Sequence, residues 1–183
     1  MTRSDNYVSP TIFTDRLILR NPSLNDAFNM FLQRTDAEVN QFVPMTPPKD
    51  PSEVETLLRT IIHNTSTGIS DYWIITDKQN TYLGSICLWN YNYKSNTAEL
   101  GFVLIKNAWN HGYATEAIER VITFAMEKLP FTIIEGWTHH QNFTAQHAMQ
   151  KNGFLRNMEA EKNIDQSSPD ADMQIWTLKL IRE

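Results

Sequence analysis

The chain has 183 residues, 41% hydrophobic and 20% charged, which fits one globular domain over residues 1–183 with room for a real core. A formal net charge of −5 makes the chain a poor candidate for nucleic-acid phosphates, which need clustered Lys and Arg, and suits a cationic partner or plain solubility. No run reaches the roughly 20 apolar residues of a membrane span, no apolar stretch follows Met1–Asn6 as in a secretory signal, and the single cysteine, Cys87, cannot close an internal disulfide. A cytoplasmic protein is expected.

The elements follow with short connections. Leu17–Leu19 reads as a strand. Ser23, with Asp26 three residues on, predicts a helix carrying Leu24, Ala27, Phe28, Phe31 and Leu32 on one face. After the proline-rich loop Phe42–Pro48, a second helix is predicted from Ser52, with Glu55 completing a capping box and Val54, Leu57, Leu58, Ile61 and Ile62 as its stripe. The period then changes. Tyr72–Thr76, Tyr82–Trp89 and Ala98–Ile105 read as an antiparallel meander. Helical spacing returns from Thr115, through Ala117, Ile118, Val121, Ile122, Ala125 and Leu129. Thr132–Thr138 is a strand, and Phe143–Lys151 a helix ended by Gly153. Two strands close the chain, from Phe154 and over Met173–Ile181, around the polar loop Asn163–Ala171. Strand, helix and strand over Ala98–Thr138 make a parallel crossover. A mixed α/β sheet is expected.

Chemistry concentrates where Glu99–Ile105 runs into Trp109-Asn110-His111-Gly112-Tyr113-Ala114-Thr115-Glu116-Ala117. A strand opens through small residues onto a helix whose first N–H groups lack internal partners, an arrangement that binds a pyrophosphate without basic side chains. An ordinary tight turn would use glycine as well. The segment is neither a nucleotide P-loop nor a dinucleotide fingerprint.

Trp109–Ala117 resembles the acetyl-CoA pyrophosphate loop of the GNAT N-acetyltransferase superfamily. It is most similar to the branch of the ribosomal-protein serine/alanine N-terminal acetyltransferases, which reads W-G-x-G-Y-A-T-E-A. Thr14-Asp15-Arg16-Leu17-Ile18-Leu19-Arg20, Ala98-Glu99-Leu100-Gly101-Phe102 and the Asn142 to Gly153-Phe154 helix resemble three further motifs of that branch, in order and spacing. The likeness covers about residues 14 to 182. It implies the GNAT fold: a mixed, mostly antiparallel seven-stranded sheet, splayed between its fourth and fifth strands, with helices on both faces. It also implies acetyl-CoA as co-substrate with no metal. The pantetheine arm would pair with the backbone of Phe102, Val103 and Leu104. Trp109, Asn110, His111, Gly112, Tyr113, Ala114 and Thr115 would form the cofactor loop, the N–H groups of Asn110 to Ala114 and the Thr115 hydroxyl taking the pyrophosphate. Asn142 would contact the cofactor near its sulfur. Three positions depart from the pattern. Asn110 replaces a glycine, and Asn tolerates left-handed backbone better than most residues. Met149 replaces the tyrosine that protonates the leaving thiolate, and Ala145 replaces a serine; neither can donate a proton.

An amine attacks a thioester only when neutral, so a base is needed more than an acid. Glu99, at the start of the strand leading to the loop, is the base candidate, a salt-bridged strand glutamate being the alternative. The N–H of Val103 is the candidate oxyanion donor. His139 and His140, adjacent at a strand end, should face opposite ways and make a poor metal pair. His147 reads as a packing residue, His111 as a backbone contributor, and Cys87 as a small buried hydrophobe. Trp89, Tyr91 and Tyr93 could line an acceptor pocket or simply pack, and the acidic stretch from Glu159 to Asp172 could attract a basic peptide or be a solvated loop. The leading expectation is acetylation of a protein or peptide N-terminal amine, such as a ribosomal protein's. A small-amine acetyltransferase and a silent acetyl-CoA-binding module stand as alternatives. Homodimers occur in the branch.

Overall fold

A computed structural model describes residues 7–43 and 45–181. The segment Met1–Asn6, Pro44 of the proline-rich loop and the last two residues lie outside the described residues. The elements run β1 (Ile12–Phe13), β2 (Leu17–Arg20), a 3-10 turn (Leu24–Asp26), α1 (Ala27–Thr35), α2 (Ala37–Asn40), α3 (Pro51–Ser66), β3 (Asp71–Asp77), β4 (Tyr82–Asn92) and β5 (Thr97–Leu104). A second 3-10 turn (Lys106–Ala108) precedes α4 (Tyr113–Lys128), β6 (Ile133–His139), α5 (Phe143–Lys151), β7 (Leu155–Arg156), α6 (Met158–Glu161) and β8 (Met173–Lys179).

One eight-stranded sheet has the order β1-β2-β3-β4-β5-β6-β8-β7, antiparallel everywhere except between β5 and β6. The sequence predicts seven strands. The eighth is β1, two residues paired with Leu19 and Ile18, too short to carry a periodic signal. Helices cover both faces. On one, α4 and α5 bury Ile118, Val121, Ala148 and Met149 against Leu17, Leu19, Trp73, Ile86, Leu100 and Ile134. On the other, α1 and α3 bury Met30, Val54 and Leu58 against Ile74 and Tyr82.

Local chemistry explains where element ends depart from expectation. The helix predicted from Ser52 starts at Pro51, because the Asp50 carboxylate accepts the Ser52 N–H at 2.9 Å and proline suits the first helical position. The predicted cap at Ser23 begins a 3-10 turn, in which Asp26 accepts the Ser23 N–H at 2.8 Å and pairs with Arg20 at 2.6 Å. The strand predicted from Phe154 stops after Arg156; Asn157 then caps the short α6, its side chain accepting the Ala160 N–H.

Candidate active site

The site is built on the one parallel pair. β5 and β6 run in register from Thr97 opposite Ile133 to Leu100 opposite Gly136. Beyond that pair β5 continues to Leu104 and β6 to His139 without pairing to each other, so the expected splay opens there. Gly136 stands at its vertex. A Cβ on it would lie 2.5 Å from the Met149 sulfur, so the bare glycine is what admits that thioether from α5.

The ladder on the other side of β5 decides which backbone groups face the opening. Ile105 donates its N–H to the Leu83 carbonyl at 2.9 Å, and Ser85 lies opposite Val103. Backbone groups alternate in direction along a strand. Phe102 and Leu104 therefore turn theirs toward the splay, while Val103 turns its N–H and C=O toward Ser85. The expectation that Val103 supplies the oxyanion donor is corrected on this ground: its N–H is spent in the ladder. The Leu104 carbonyl is also spent, since the Trp109 indole N–H donates to it at 2.9 Å. The groups left along this edge are the Phe102 N–H and C=O and the Leu104 N–H.

From β5 the chain passes Ala108, buried, and Trp109, packed on the core, into the loop. Asn110 has φ 62° and Gly112 φ 78°, both left-handed. Asn110 adopts the backbone that its amide side chain tolerates. The first intrahelical bond is Glu116 N–H to the Gly112 carbonyl, at 3.1 Å. Among the described residues, the N–H groups of Asn110, His111, Gly112, Tyr113, Ala114 and Thr115 donate to no protein acceptor. A run of orphan donors at the start of a four-turn helix fits a pyrophosphate. Thr115 is itself fixed through its carbonyl, which accepts from Asn152, the residue just after α5, at 3.2 Å. The motif Thr14–Arg20 gave no role to Thr14 or Arg16. Both bind Glu116, and Arg16 also donates to the His111 carbonyl at 2.8 Å. Only the pattern of the motif, with no spacing rule, ties residues so far apart in sequence.

Glu99 sits one residue before the last parallel pair. Cross-strand partners share a face, so Trp89, Glu99, Glu135 and Thr177 form a row on the face opposite α4. Burial pushes the Glu99 carboxyl above its usual range, and the charges of Glu135 and Asp170 push it the same way. The Asn90 amide, donating to Oε2 at 3.2 Å, works against them. Trp89 is 47% exposed beside it, so solvent and an acceptor can reach the row.

Several other candidates make structural contacts. Asn142 caps α5, its Oδ1 accepting the Ala145 N–H at 3.2 Å. Burial pushes the Cys87 thiol up to about 12, which makes it inert as a nucleophile. Tyr91 donates to buried Asp71 at 2.6 Å and packs on Phe131, as does Tyr93. His139 and His140 do not face opposite ways. His140 lies just past β6, so the strand alternation ends and the two rings stack 4.4 Å apart, with Phe42 on the far side of His139. His147 is exposed on α5. Part of the acidic stretch is already paired, Glu161 with Arg156 and Glu159 with Lys162. Among the described residues, no group of three or more His, Cys, Asp or Glu could hold a metal, and no helix is long and apolar enough to cross a membrane.

Comparison with known proteins agrees with this geometry. The family model described as acetyltransferase (GNAT) domain matches residues 16–155. The N-acetyltransferase p20 of Bacillus licheniformis is 28% identical over 158 residues, 83% of this chain and 89% of that protein. The fold is shared with the spermidine N-acetyltransferase of Vibrio cholerae, solved with CoA and spermine, at TM-score 0.77 and 18% identity over 91% of this chain and 97% of that one. It is shared also with RimL, a ribosomal L7/L12 α-N-protein acetyltransferase solved with CoA, at TM-score 0.81 and 13% identity over 93% and 97%. The chain belongs to the GNAT acetyltransferase family and is an acetyl-CoA-dependent N-acetyltransferase.

Proposed function

We propose that the chain acetylates the N-terminal amine of a protein or peptide, a ribosomal protein being the leading candidate, in the cytoplasm, with Glu99 as base. The observation that carries the reading is the place of Glu99: beside the vertex of the splay, in the row that Trp89 leaves open to solvent, with a carboxyl that burial pushes above its usual range. Acetyl-CoA supplies the thioester carbonyl carbon. Its pyrophosphate would rest on the N–H groups of Asn110 to Thr115 and its pantetheine arm along Phe102 and Leu104. Glu99 takes a proton from the incoming ammonium or its water, the new N–C bond forms, the C–S bond breaks and the thiolate leaves. The acceptor side favours a chain end over an engulfed small molecule, because it is open, with Trp89 standing 47% exposed along it. The row Glu99 and Glu135, with Asp170 nearby, favours a cationic acceptor. Release of CoA thiol, followed against a panel of basic peptides, polyamines and small amines, tests this. Turnover on peptides with free N-termini, abolished by blocking that terminus, is the expected result. Turnover on polyamines alone would overturn the acceptor assignment, and no turnover with intact acetyl-CoA binding would favour a silent binding module.

No side-chain acid is required. A thiol near pKa 8.5 leaves as thiolate and takes its proton from water, whereas an amine must lose one before it attacks. Met149 is 1% exposed, its sulfur against Gly136, so a tyrosine there would meet a filled interior. Met149→Tyr is expected to cost about 1–3 kcal/mol of stability, the usual range for overpacking, and to give no large gain in turnover. The kcat profile is expected to rise with pH through a single ionisation without an alkaline fall. A bell-shaped profile, or a large gain on installing tyrosine, would show that an acid is needed.

A further inference from the structure

The carboxylate of Glu116, in the first turn of α4, is fully engaged by the turn between β1 and β2. Thr14 Oγ1 donates to Oε1, the Arg16 backbone N–H donates to Oε1 at 3.0 Å, and Arg16 Nε donates to Oε2 at 2.7 Å. Arg16 Nη2 closes the ion pair at 2.6 Å. Burial alone would raise the Glu116 pKa, but these bonds and the Arg16 charge hold it below the usual carboxylate range. The remaining arm of the same guanidinium, Nη1, donates to the His111 carbonyl at 2.8 Å, and the Tyr113 ring lies 4.8 Å under its carbon.

That contact fixes more than a carbonyl. The His111 C=O and the Gly112 N–H belong to one planar trans peptide and point in opposite directions. Drawing the carbonyl toward Arg16 turns the Gly112 N–H away from it, into the run of orphan donors. The Arg16 charge is compensated by Glu116, so the guanidinium acts as a fork that spans two fixed acceptors. A lysine ammonium has no such planar fork.

We propose that Arg16, anchored by Glu116, is a positioning residue for acetyl-CoA. It holds the His111–Gly112 peptide in the orientation that presents the Gly112 N–H to the pyrophosphate. The proposal rests on the reading of Asn110 to Thr115 as the pyrophosphate loop. Titration calorimetry with CoA, together with kcat/KM for acetyl-CoA and for S-acetylpantetheine, which lacks the pyrophosphate, tests it in the full chain. Arg16→Lys keeps the charge and loses the fork. It is expected to weaken CoA binding about tenfold to a hundredfold, the worth of a charge-assisted hydrogen bond, with the loss appearing in KM for acetyl-CoA and no comparable loss on S-acetylpantetheine. Glu116→Gln removes the anchor and should fall in the same direction. The double variant should be little worse than the poorer single one, because the two act as a unit. Retention of CoA affinity by Arg16→Lys would mean that charge alone suffices and would overturn the proposal. Equal losses on both thioesters, or a fully additive double variant, would reduce the pair to general fold support and overturn it as well. Normal CoA binding by Gly112→Val would instead sink the loop assignment itself, an outcome readable separately in the same assay.

Discussion

Gly112→Val is expected to abolish measurable acetyl-CoA binding while the protein stays folded. Gly112 has φ 78° and directly precedes α4. A left-handed conformation costs an L-residue about 1–2 kcal/mol, and a β-branched side chain more than most. The strain comes from the backbone and not from crowding, since a Cβ would meet Arg16 Nη2 at an ordinary 3.4 Å. Two escapes are open to valine. It can hold the backbone and push its methyl groups against the donors and Arg16, or it can leave the left-handed region and rotate the His111–Gly112 and Gly112–Tyr113 peptides. Either way the N–H groups no longer converge. The fold should survive, because the core face of α4, with Ala117, Ile118, Val121 and Ala125 buried, lies beyond the loop. Calorimetry on a variant whose circular dichroism matches the parent checks this. Near-parental affinity would mean that the pyrophosphate lies elsewhere.

Much of this site was legible in the sequence because it is contiguous. The strand into Gly112 and the helix after it fall within about twenty residues, and the left-handed Asn110 follows from asparagine's own tolerance. The parallel crossover was legible too, from the return of helical spacing between two strands. Three things were not. Whether Val103 or its neighbours face the opening depends on the phase of the β4–β5 ladder, and a phase is set by partners rather than by composition. The Arg16–Glu116 lock joins residues 100 apart, and each alone looks like an ordinary surface charge. The pairing of Glu99 with Glu135 depends on parallel register, which no turn fixes. Short elements escaped for a further reason: β1, α2 and α6 span two to four residues, about one period of their pattern, too little to show a repeat.

Glu99→Gln is expected to lower turnover at neutral pH by roughly 10²–10⁴-fold, the range for loss of a general base, while raising stability. The two effects come from one cause. Burial raises the folded-state pKa of Glu99, and the charges of Glu135 and Asp170 add to it. A carboxyl with a raised folded pKa favours the folded state when protonated. That contribution is complete below the unfolded pKa, about 4.3, and is lost as pH rises through the folded value. At neutral pH the ionised group therefore opposes folding, and glutamine, its neutral isostere, removes the opposition. The Asn90 amide contact at 3.2 Å tempers the gain, since it favours the charged form and glutamine keeps only a weaker acceptor there. The midpoint of thermal unfolding should thus be higher for the variant at pH 7, and the difference should shrink as pH falls toward 4. Activity should move the other way, with the deficit smaller at high pH, where free amine is abundant. Acetyl-CoA affinity should stay near parental, because the carboxyl lies on the acceptor face. Unchanged turnover at neutral pH would assign Glu99 to the sheet alone. A stability deficit at pH 7 would show that the carboxylate is held by favourable contacts and is not strained for proton transfer.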